Sequence, residues 1–475
     1  MEKRKICIIG GGASGLMAAI MAAREGGEVT LLEHNEKTGR KLLATGNGRC
    51  NLTNICQEPS CYHSLSGTLA WEILQGFSLQ DTIRFFSQIG VYTKNKEGYL
   101  YPASMQASSV QELLEMEARY RKVKIKCREH VKEIRKEEQG FQVLTETWSY
   151  PADKVILAAG SRASSIQGAD GSGYELAKAL GHKIIPPLPA LVPLKGKGNW
   201  FSKWAGVRTE GRVSLMAEGQ IFDQAQGEIQ LTDYGVSGIP VFQVSGRAVR
   251  LIGEGVKVTL LLDFLPDFDE AGLTAFLKTR QDQCPYKSVK QLLLGLLPQK
   301  LAEVLMMGNP DIFQLAHKIK EFPVEIRGSK SYDQAQVCSG GVPLEEVEPK
   351  TMESRKVPGL YLAGEILDAD GICGGYNLQW AWTTGALPEK VLPAQAAKEE
   401  RRNFHADFTA GKTADFSYQR RSGEKNSKAP ENFISGASVL EDPEAVPGRQ
   451  KKARVVFCIH NRCFRKERKQ SFKKG

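Results

Sequence analysis

The spacing of apolar residues changes along this chain, and each change predicts a different layer of the fold. Residues 5–9 form a short apolar run, the pattern of a buried strand. Residues 13–24 are rich in strong helix formers, and residues 28–32 read as a second strand ending at Glu33. Strand, turn, helix and strand in that order predict a parallel α/β unit. Short strands are expected over 123–134 and 141–147, and residues 154–159, closed by Gly160, return to the parallel sheet. A loop and a helix occupy 168–181. At Pro186-Pro187-Leu188-Pro189 the texture changes. From about 191 to 264, apolar and polar residues alternate between glycine turns, as in an antiparallel β insert. Residues 267–320 read as amphipathic helices, among them 289–297 and 299–307. Strand and turn resume near Val337, and 360–363 reads as a central strand.

The simplest architecture is a discontinuous nucleotide domain of α/β class, carrying a β insert and a helical insert. Its first part is expected over 1–190, the β insert over 191–265, the helices over 266–322 and the return segment over 323–385. Residues 386–475 read as a basic tail without order. Pro388 and Pro393 break any helix there, and a long polar stretch follows.

Between the first strand and helix stands Gly10-Gly11-Gly12-Ala13-Ser14-Gly15. Gly10 permits the tight turn, Gly12 lets backbone approach a pyrophosphate, and Gly15 allows close helix–strand packing. The amides of Ala13 and Ser14, at the positive end of the helix dipole, then face the phosphates. Glu33 lies 18 residues beyond Gly15, near the offset of an acid that accepts from ribose hydroxyls. The segment 39–54 carries Arg40, Lys41 and Arg49 among glycines, with Cys50 and Asn51, and is expected to wrap a phosphate-bearing ligand. A second glycine-rich block follows far downstream: Ala363-Gly364-Glu365, then Asp368-Ala369-Asp370-Gly371 and Gly374-Gly375-Tyr376-Asn377. Glu365 is placed to accept from ribityl hydroxyls. Gly375, Tyr376 and Asn377 open a helix whose dipole would stabilise negative charge on a flavin. A site built from both ends of a chain suits a ligand too long for one loop, and FAD is such a ligand.

Charge and cysteine use narrow the class further. The chain has 475 residues and a net charge of +10, but residues 386–475 hold 20 Lys and Arg against 11 Asp and Glu, a net +9. The body is close to neutral, so no nucleic-acid partner is expected. Ten cysteines include no C-x-x-C, which argues against zinc and a dithiol redox pair and suits reduced thiols in the cytoplasm; no metal ligands are expected. No apolar run approaches the ~20 residues of a membrane span, so no membrane partner is expected. Residues 3–5 and the Ala-rich run after them imitate a leader. Three consecutive glycines interrupt it, and it reads as mature protein.

The blocks quoted above, with Ala44-Thr45-Gly46-Asn47-Gly48-Arg49-Cys50-Asn51-Leu52-Thr53-Asn54, Gly235-Val236-Ser237-Gly238 and Ser339-Gly340-Gly341-Val342, make this chain resemble a family of bacterial flavoproteins. These are the NAD(P)/FAD-dependent oxidoreductases of the BaiN/RdsA type, and the likeness covers about residues 4 to 385. It implies FAD bound by a Rossmann-like discontinuous domain, with the β insert an antiparallel β-barrel and the helical insert a small subdomain. It further implies contacts near Gly12, Ser14, Glu33, Arg40, Arg49, Asn51, Val131, Gly364 and Asn377. Reduction of conjugated double bonds in oxo bile acids is the activity implied for some members. Two departures stand out. Cys373 replaces an expected small hydroxyl residue, and after Gly385 the family's small-residue helix is replaced by Leu387-Pro388-Glu389-Lys390-Val391-Leu392-Pro393. Those residues can be encoded so that the neighbouring frame reads Ala-Gly-Lys-Gly-Ala-Ala, and an out-of-frame tail is the expectation that the coding DNA would test.

Three functions follow. The first is an enzyme in which FAD takes hydride from NAD(P)H and passes it to a small hydrophobic, unsaturated or oxo substrate. No second G-x-G-x-x-G is present, so the nicotinamide would dock transiently. The second is a nucleic-acid-modifying flavoprotein, and the third a flavin-binding electron-transfer module without catalysis. The sequence singles out no catalytic side chain and no Ser/His/Asp arrangement.

Overall fold

A computed structural model describes residues 3–165 and 168–391, with the strands Arg454–Ile459 and Arg462–Glu467. The opening apolar run is a strand, Lys5–Ile9, in the middle of a five-stranded parallel sheet. The sheet runs Leu360–Leu362, Lys154–Leu157, Lys5–Ile9, Glu28–Glu33, Lys124–Cys127. Strand alternation gives it two faces. Ile6 and Ile8 pack with Leu16, Met17 and Ile20 of the helix Ala13–Arg24. Cys7 and Ile9 pack on the other side with Phe141 and Val143 of a three-stranded antiparallel sheet. Both faces are covered, which is why these strands read as nearly continuous apolar runs.

Register brings the distant glycine blocks together. Ile9 pairs with Leu157, and Leu157 pairs with Leu362. The turns after these strands therefore leave the same edge of the sheet, where ligands bind in open α/β folds. The closing helix Tyr376–Ala386 then crosses the opening helix at Gly385, where an added Cβ would lie 2.5 Å from the Ser14 carbonyl oxygen. Trp380 and Trp382 fill core, and their indoles donate to the carbonyls of Gly364 (3.1 Å) and Leu52 (2.9 Å). The helix ends just before Pro388, and a 3-10 turn, Leu387–Val391, buries Leu387.

The insert is a closed antiparallel barrel in the order Leu194–Gly196, Gly235–Gly238, Gln220–Thr232, Arg208–Ala217, Val258–Asp263, Phe322–Ser329. Two features depart from the sequence expectation. The helix Ile239–Gly253 interrupts the stretch read as continuous β; it buries Val241, Val244 and Ala248. Pro240 at its first turn and that three-and-four spacing were the signals for it. The barrel also takes its sixth strand, Phe322–Ser329, from beyond the helices Glu270–Gln283, Val289–Leu293, Gln299–Leu305 and Ile312–Lys320. Leu260 pairs with Val324, so the helices span a connection between adjacent barrel strands. In the tail, Arg454–Ile459 and Arg462–Glu467 form a two-stranded sheet where disorder was expected. The rest of that expectation, over 392–453 and 468–475, lies outside the described residues.

Folding also assembles a Ser–His–Glu arrangement that the sequence did not reveal. His182 Nδ1 lies 2.7 Å from Glu346 Oε2, and its Nε2 lies 2.9 Å from Ser354 Oγ. Ser354 Oγ also accepts from the amides of Lys356 and Val357, so the hydroxyl is spent on a turn and His182 is a buried strut. Burial pushes the His182 imidazole down from its ordinary value, against the opposing pull of Glu346. The unfolded chain therefore takes up a proton below pH ~6.5 that the folded chain resists. This contribution to stability is complete above that pH and is lost as pH falls. Between pH 7.5 and 5.5 the wild type should lose thermal stability relative to His182→Gln. Parallel melting temperatures across that range would show that the strut does not titrate.

Candidate active site

The first turn is built by exclusion. Gly10 has φ +101°, and a Cβ there would stand 2.4 Å from the Ala158 carbonyl oxygen; at Gly15 it would stand 1.8 Å from the Gly10 carbonyl oxygen. Only glycine fits either place. Gly12 is different: a Cβ on it meets no protein atom within 4 Å. It is the N-cap of the helix Ala13–Arg24, and no side chain caps that helix. The first-turn amides, including those of Ala13 and Ser14, therefore lack intrahelical partners.

Glu33, at the end of the second strand, is buried and organised. Its Oε2 accepts from the Gly11 amide (2.6 Å), and its Oε1 accepts from the Asn35 amide (2.8 Å) and Asn35 Nδ2 (2.7 Å). Arg40 Nη1 donates to Asn35 Oδ1 at 2.9 Å. A carboxylate offers about four lone-pair positions, so Oε2 keeps capacity for one more donor. Lys41 reaches the late block: its Nζ lies 2.5 Å from Glu365 Oε2, which also accepts from Ser161 Oγ at 2.8 Å.

The segment 39–54 folds as a short helix, Arg40–Ala44, and a 3-10 turn. Gly46, Asn47 and Cys50 are left-handed, and burial pushes the Cys50 thiol up to about 12. Arg49 is exposed, its Nε donating to the Gly46 carbonyl at 3.1 Å, while Asn51 is buried with an Oδ1 that has no partner among the described residues. Val131 is buried at the start of a strand of the three-stranded sheet. Beside it, His130 stacks on His34 with ring centroids 4.1 Å apart. Asp170 is close to both, yet near-parallel rings do not aim their lone pairs at one ion, so the trio carries no metal reading. At Gly160, φ +76°, a Cβ meets no protein atom within 4 Å.

In the late block Gly364 has φ +81°, and a Cβ there would stand 2.4 Å from Ser14 Oγ. The two glycine blocks thus touch. Gly375, φ +96°, caps the closing helix against the backbone of Thr53, and Tyr376 is buried edge-on to Tyr62. Asn377 spends its side chain within the block: its Oδ1 accepts from the Gly371 amide (2.8 Å), and its Nδ2 donates to the Gly371 carbonyl (2.7 Å). Cys373 packs near Ala190, Leu191 and Val337, and burial pushes its thiol up to about 12, which makes it an inert small side chain.

One group escaped the sequence reading. The strand Tyr62–His63 pairs with Asp370–Gly371, placing His63 Nδ1 3.6 Å from Asp370 Oδ2. Asp370 and Asp368 are both buried, and the Oδ1 of each lacks a hydrogen-bond partner among the described residues. Asp368 Oδ2 accepts from the Leu65 amide at 2.8 Å. The Asp370 carboxylate beside it raises the His63 pKa, and burial raises that of Asp368. Two acids separated by Ala369 were visible in the sequence. His63 had no local signal, because only a strand pairing across more than 300 residues brings it there.

A parallel sheet with an open glycine turn at its carboxyl edge, joined to a second glycine block, defines a Rossmann-type nucleotide-binding protein. Residues 4–390 match the model of the HI0933-like protein Rossmann domain, and the chain belongs to that family. It is 45% identical over 405 residues to 3-dehydro-bile acid delta(4,6)-reductase of Clostridium scindens, covering 81% of this chain and 97% of that protein. It is 32% identical over 414 residues to ribosomal RNA dihydrouridine synthase of Escherichia coli, covering 84% of this chain and 100% of that protein. Among solved structures, 3-ketosteroid-delta4-(5alpha)-dehydrogenase from Rhodococcus jostii RHA1 aligns with 82% of this chain and 98% of its own, at 14% identity and a TM-score of 0.42. Among the described residues, no helix is long and apolar enough to cross a membrane.

Proposed function

We propose that this protein is an FAD-dependent oxidoreductase that uses NAD(P)H to reduce the conjugated double bond of a small hydrophobic oxo substrate. The observation that carries the reading is the joined cradle: open space over Gly12, with Gly364 against Ser14. When bound, FAD supplies a two-electron carrier able to accept and donate hydride. The residues present fit it. The amides of Gly12, Ala13 and Ser14 would take the pyrophosphate, and Oε2 of Glu33 a ribose hydroxyl. The orphaned Oδ1 of Asn51 would accept from the ligand, with Arg40 and Arg49 contributing charge near it and Val131 and Gly160 walling the nucleotide end. Glu365, held by Lys41 and Ser161, would orient ribityl hydroxyls. The backbone at Gly375 to Asn377 would face the flavin pyrimidine, since the Asn377 side chain is committed to Gly371.

The reductase relative supports an enone of bile-acid or steroid type, because its name specifies a 3-oxo substrate and a conjugated reduction. Anaerobic mixing of photoreduced enzyme with steroid and simple enones should reoxidise the flavin. Reduction of the oxidised enzyme by NADH or NADPH should be fast in stopped flow. A second reading is favoured by the full-length likeness to an RNA dihydrouridine synthase. The uracil 5,6 double bond is also conjugated to a carbonyl, so the chemistry is the same and only the substrate differs. If every enone fails and a ribosomal RNA fragment reoxidises the flavin, the RNA reading replaces the first.

A further inference from the structure

Conjugate reduction needs a proton as well as a hydride. Addition of hydride at the β carbon of an enone breaks the carbon–carbon π bond and leaves its electron pair toward the α carbon, which must take H⁺. One hydride from the reduced dinucleotide and one proton complete two new C–H bonds. We propose that His63, Asp370 and Asp368 form a relay that carries that proton from solvent to the α carbon of the bound substrate; this rests on the reductase reading above.

Buried carboxyl oxygens are nearly always hydrogen-bonded, because an orphan loses its hydration with nothing in return. Here two orphans, Asp368 Oδ1 and Asp370 Oδ1, occur two residues apart in the one block that reaches the start of the closing helix. Asp370's charge opposes ionisation of Asp368. Burial and that neighbouring charge both favour a proton on Asp368. His63 supplies the outer end: its ring is half-exposed while its Nδ1 lies 3.6 Å from Asp370 Oδ2. Asp370 and Asp223 favour the charged imidazole, and Arg247 opposes it. Arg250 acts on Asp368 from the barrel helix, while its Nη2 donates to Ser339 Oγ at 2.5 Å. Gly246 of that helix brings the barrel to Asp370, since a Cβ there would lie 3.9 Å from Asp370 Oδ2. The relay thus lies at the seam between barrel and nucleotide fold, and domain seams are preferred places for ligands. The clamp of Asn377 on Gly371 fixes the loop that carries it.

The test separates proton transfer from hydride transfer. Full-length enzyme with FAD bound and oxidised is placed in D₂O with a saturated 3-oxo bile acid or cyclohexanone. Deuterium entering the α position is then followed by NMR, which requires no redox step. Wild type should catalyse this exchange with a rate that rises with the titration of His63. Asp370→Asn should lower exchange at least about a hundredfold, the low end of general acid–base effects, with FAD content and ketone affinity within twofold of wild type. His63→Gln should lose about tenfold and regain it with added imidazole, a rescue that a structural role would not give; it decides the matter if Asp370→Asn fails to fold. Wild-type exchange at the uncatalysed rate, or unchanged exchange in both variants, overturns the relay. Exchange that depends on Asp370 while no enone is reduced upholds the relay and overturns the reductase reading.

Discussion

Gly12→Val should give a folded protein that no longer retains FAD. The two halves of that expectation have separate causes. The backbone at Gly12 has φ −77° and ψ −166°, which a β-branched residue accepts, and the space over it contains no protein atom within 4 Å. Valine is therefore tolerated by the fold. That same space is where the proposed cradle would take the pyrophosphate against the first-turn amides, and two methyl groups would fill it. Losing this contact set should weaken FAD at least about a thousandfold, or ~4 kcal/mol at 1.4 kcal/mol per tenfold. Flavin absorbance after reconstitution with excess FAD reads the loss, and the thermal midpoint of the FAD-free proteins checks the fold. A yellow Gly12→Val protein with wild-type stoichiometry would remove the cradle from this turn. An unfolded one would show instead that the turn tolerates no side chain, as at Gly10 and Gly15.

What was legible in the sequence followed from local rules. The central strands are covered on both faces and so appear as unbroken apolar runs, and glycines mark turns because only glycine fits at Gly10 and Gly15. Glu33 was legible through its offset from the turn, although its bonds to Gly11 and Asn35 were not. The errors arose where tertiary context outweighed pattern. The barrel helix Ile239–Gly253 carries valines and other β-branched residues that favour strands, and its helical spacing is confined to one buried stripe. The strand Phe322–Ser329 belongs to the barrel through a pairing with Val258–Asp263, across some sixty intervening residues that form helices. Asn377 was read as a ligand contact from its place after two glycines, and the bonds of its side chain to Gly371 were not legible there. His63 and the His182 strut were illegible for one reason. A histidine declares its role through its partners, and here Asp370 and Glu346 come from distant parts of the chain.

Gly385→Leu should damage both stability and flavin binding, because this glycine is where the opening and closing helices are pressed together. A Cβ at 385 would stand 2.5 Å from the Ser14 carbonyl oxygen and 3.0 Å from Met17 Cβ. The first obstacle is backbone, so no rotamer change relieves it, and the closing helix must move off the opening one. Overpacking of this kind costs about 1–3 kcal/mol, and leucine, with three further carbons to place in a filled core, belongs at the upper end or beyond. Movement of the closing helix also carries away Thr384, whose Oγ1 accepts from the Gly364 amide at 2.8 Å, and Trp380, whose indole donates to the Gly364 carbonyl. The contact between Gly364 and Ser14 then opens, and the late block no longer meets the first turn. The control is Gly253→Ala in the barrel helix, where an added Cβ meets nothing within 4 Å and helix propensity alone predicts a gain of up to about 1 kcal/mol. Thermal midpoints and FAD affinity should fall together in Gly385→Leu and hold or rise in Gly253→Ala. If Gly385→Leu lost stability while binding FAD as tightly as wild type, the two helices would be coupled in the core but not at the site, and the joined cradle would have to be abandoned.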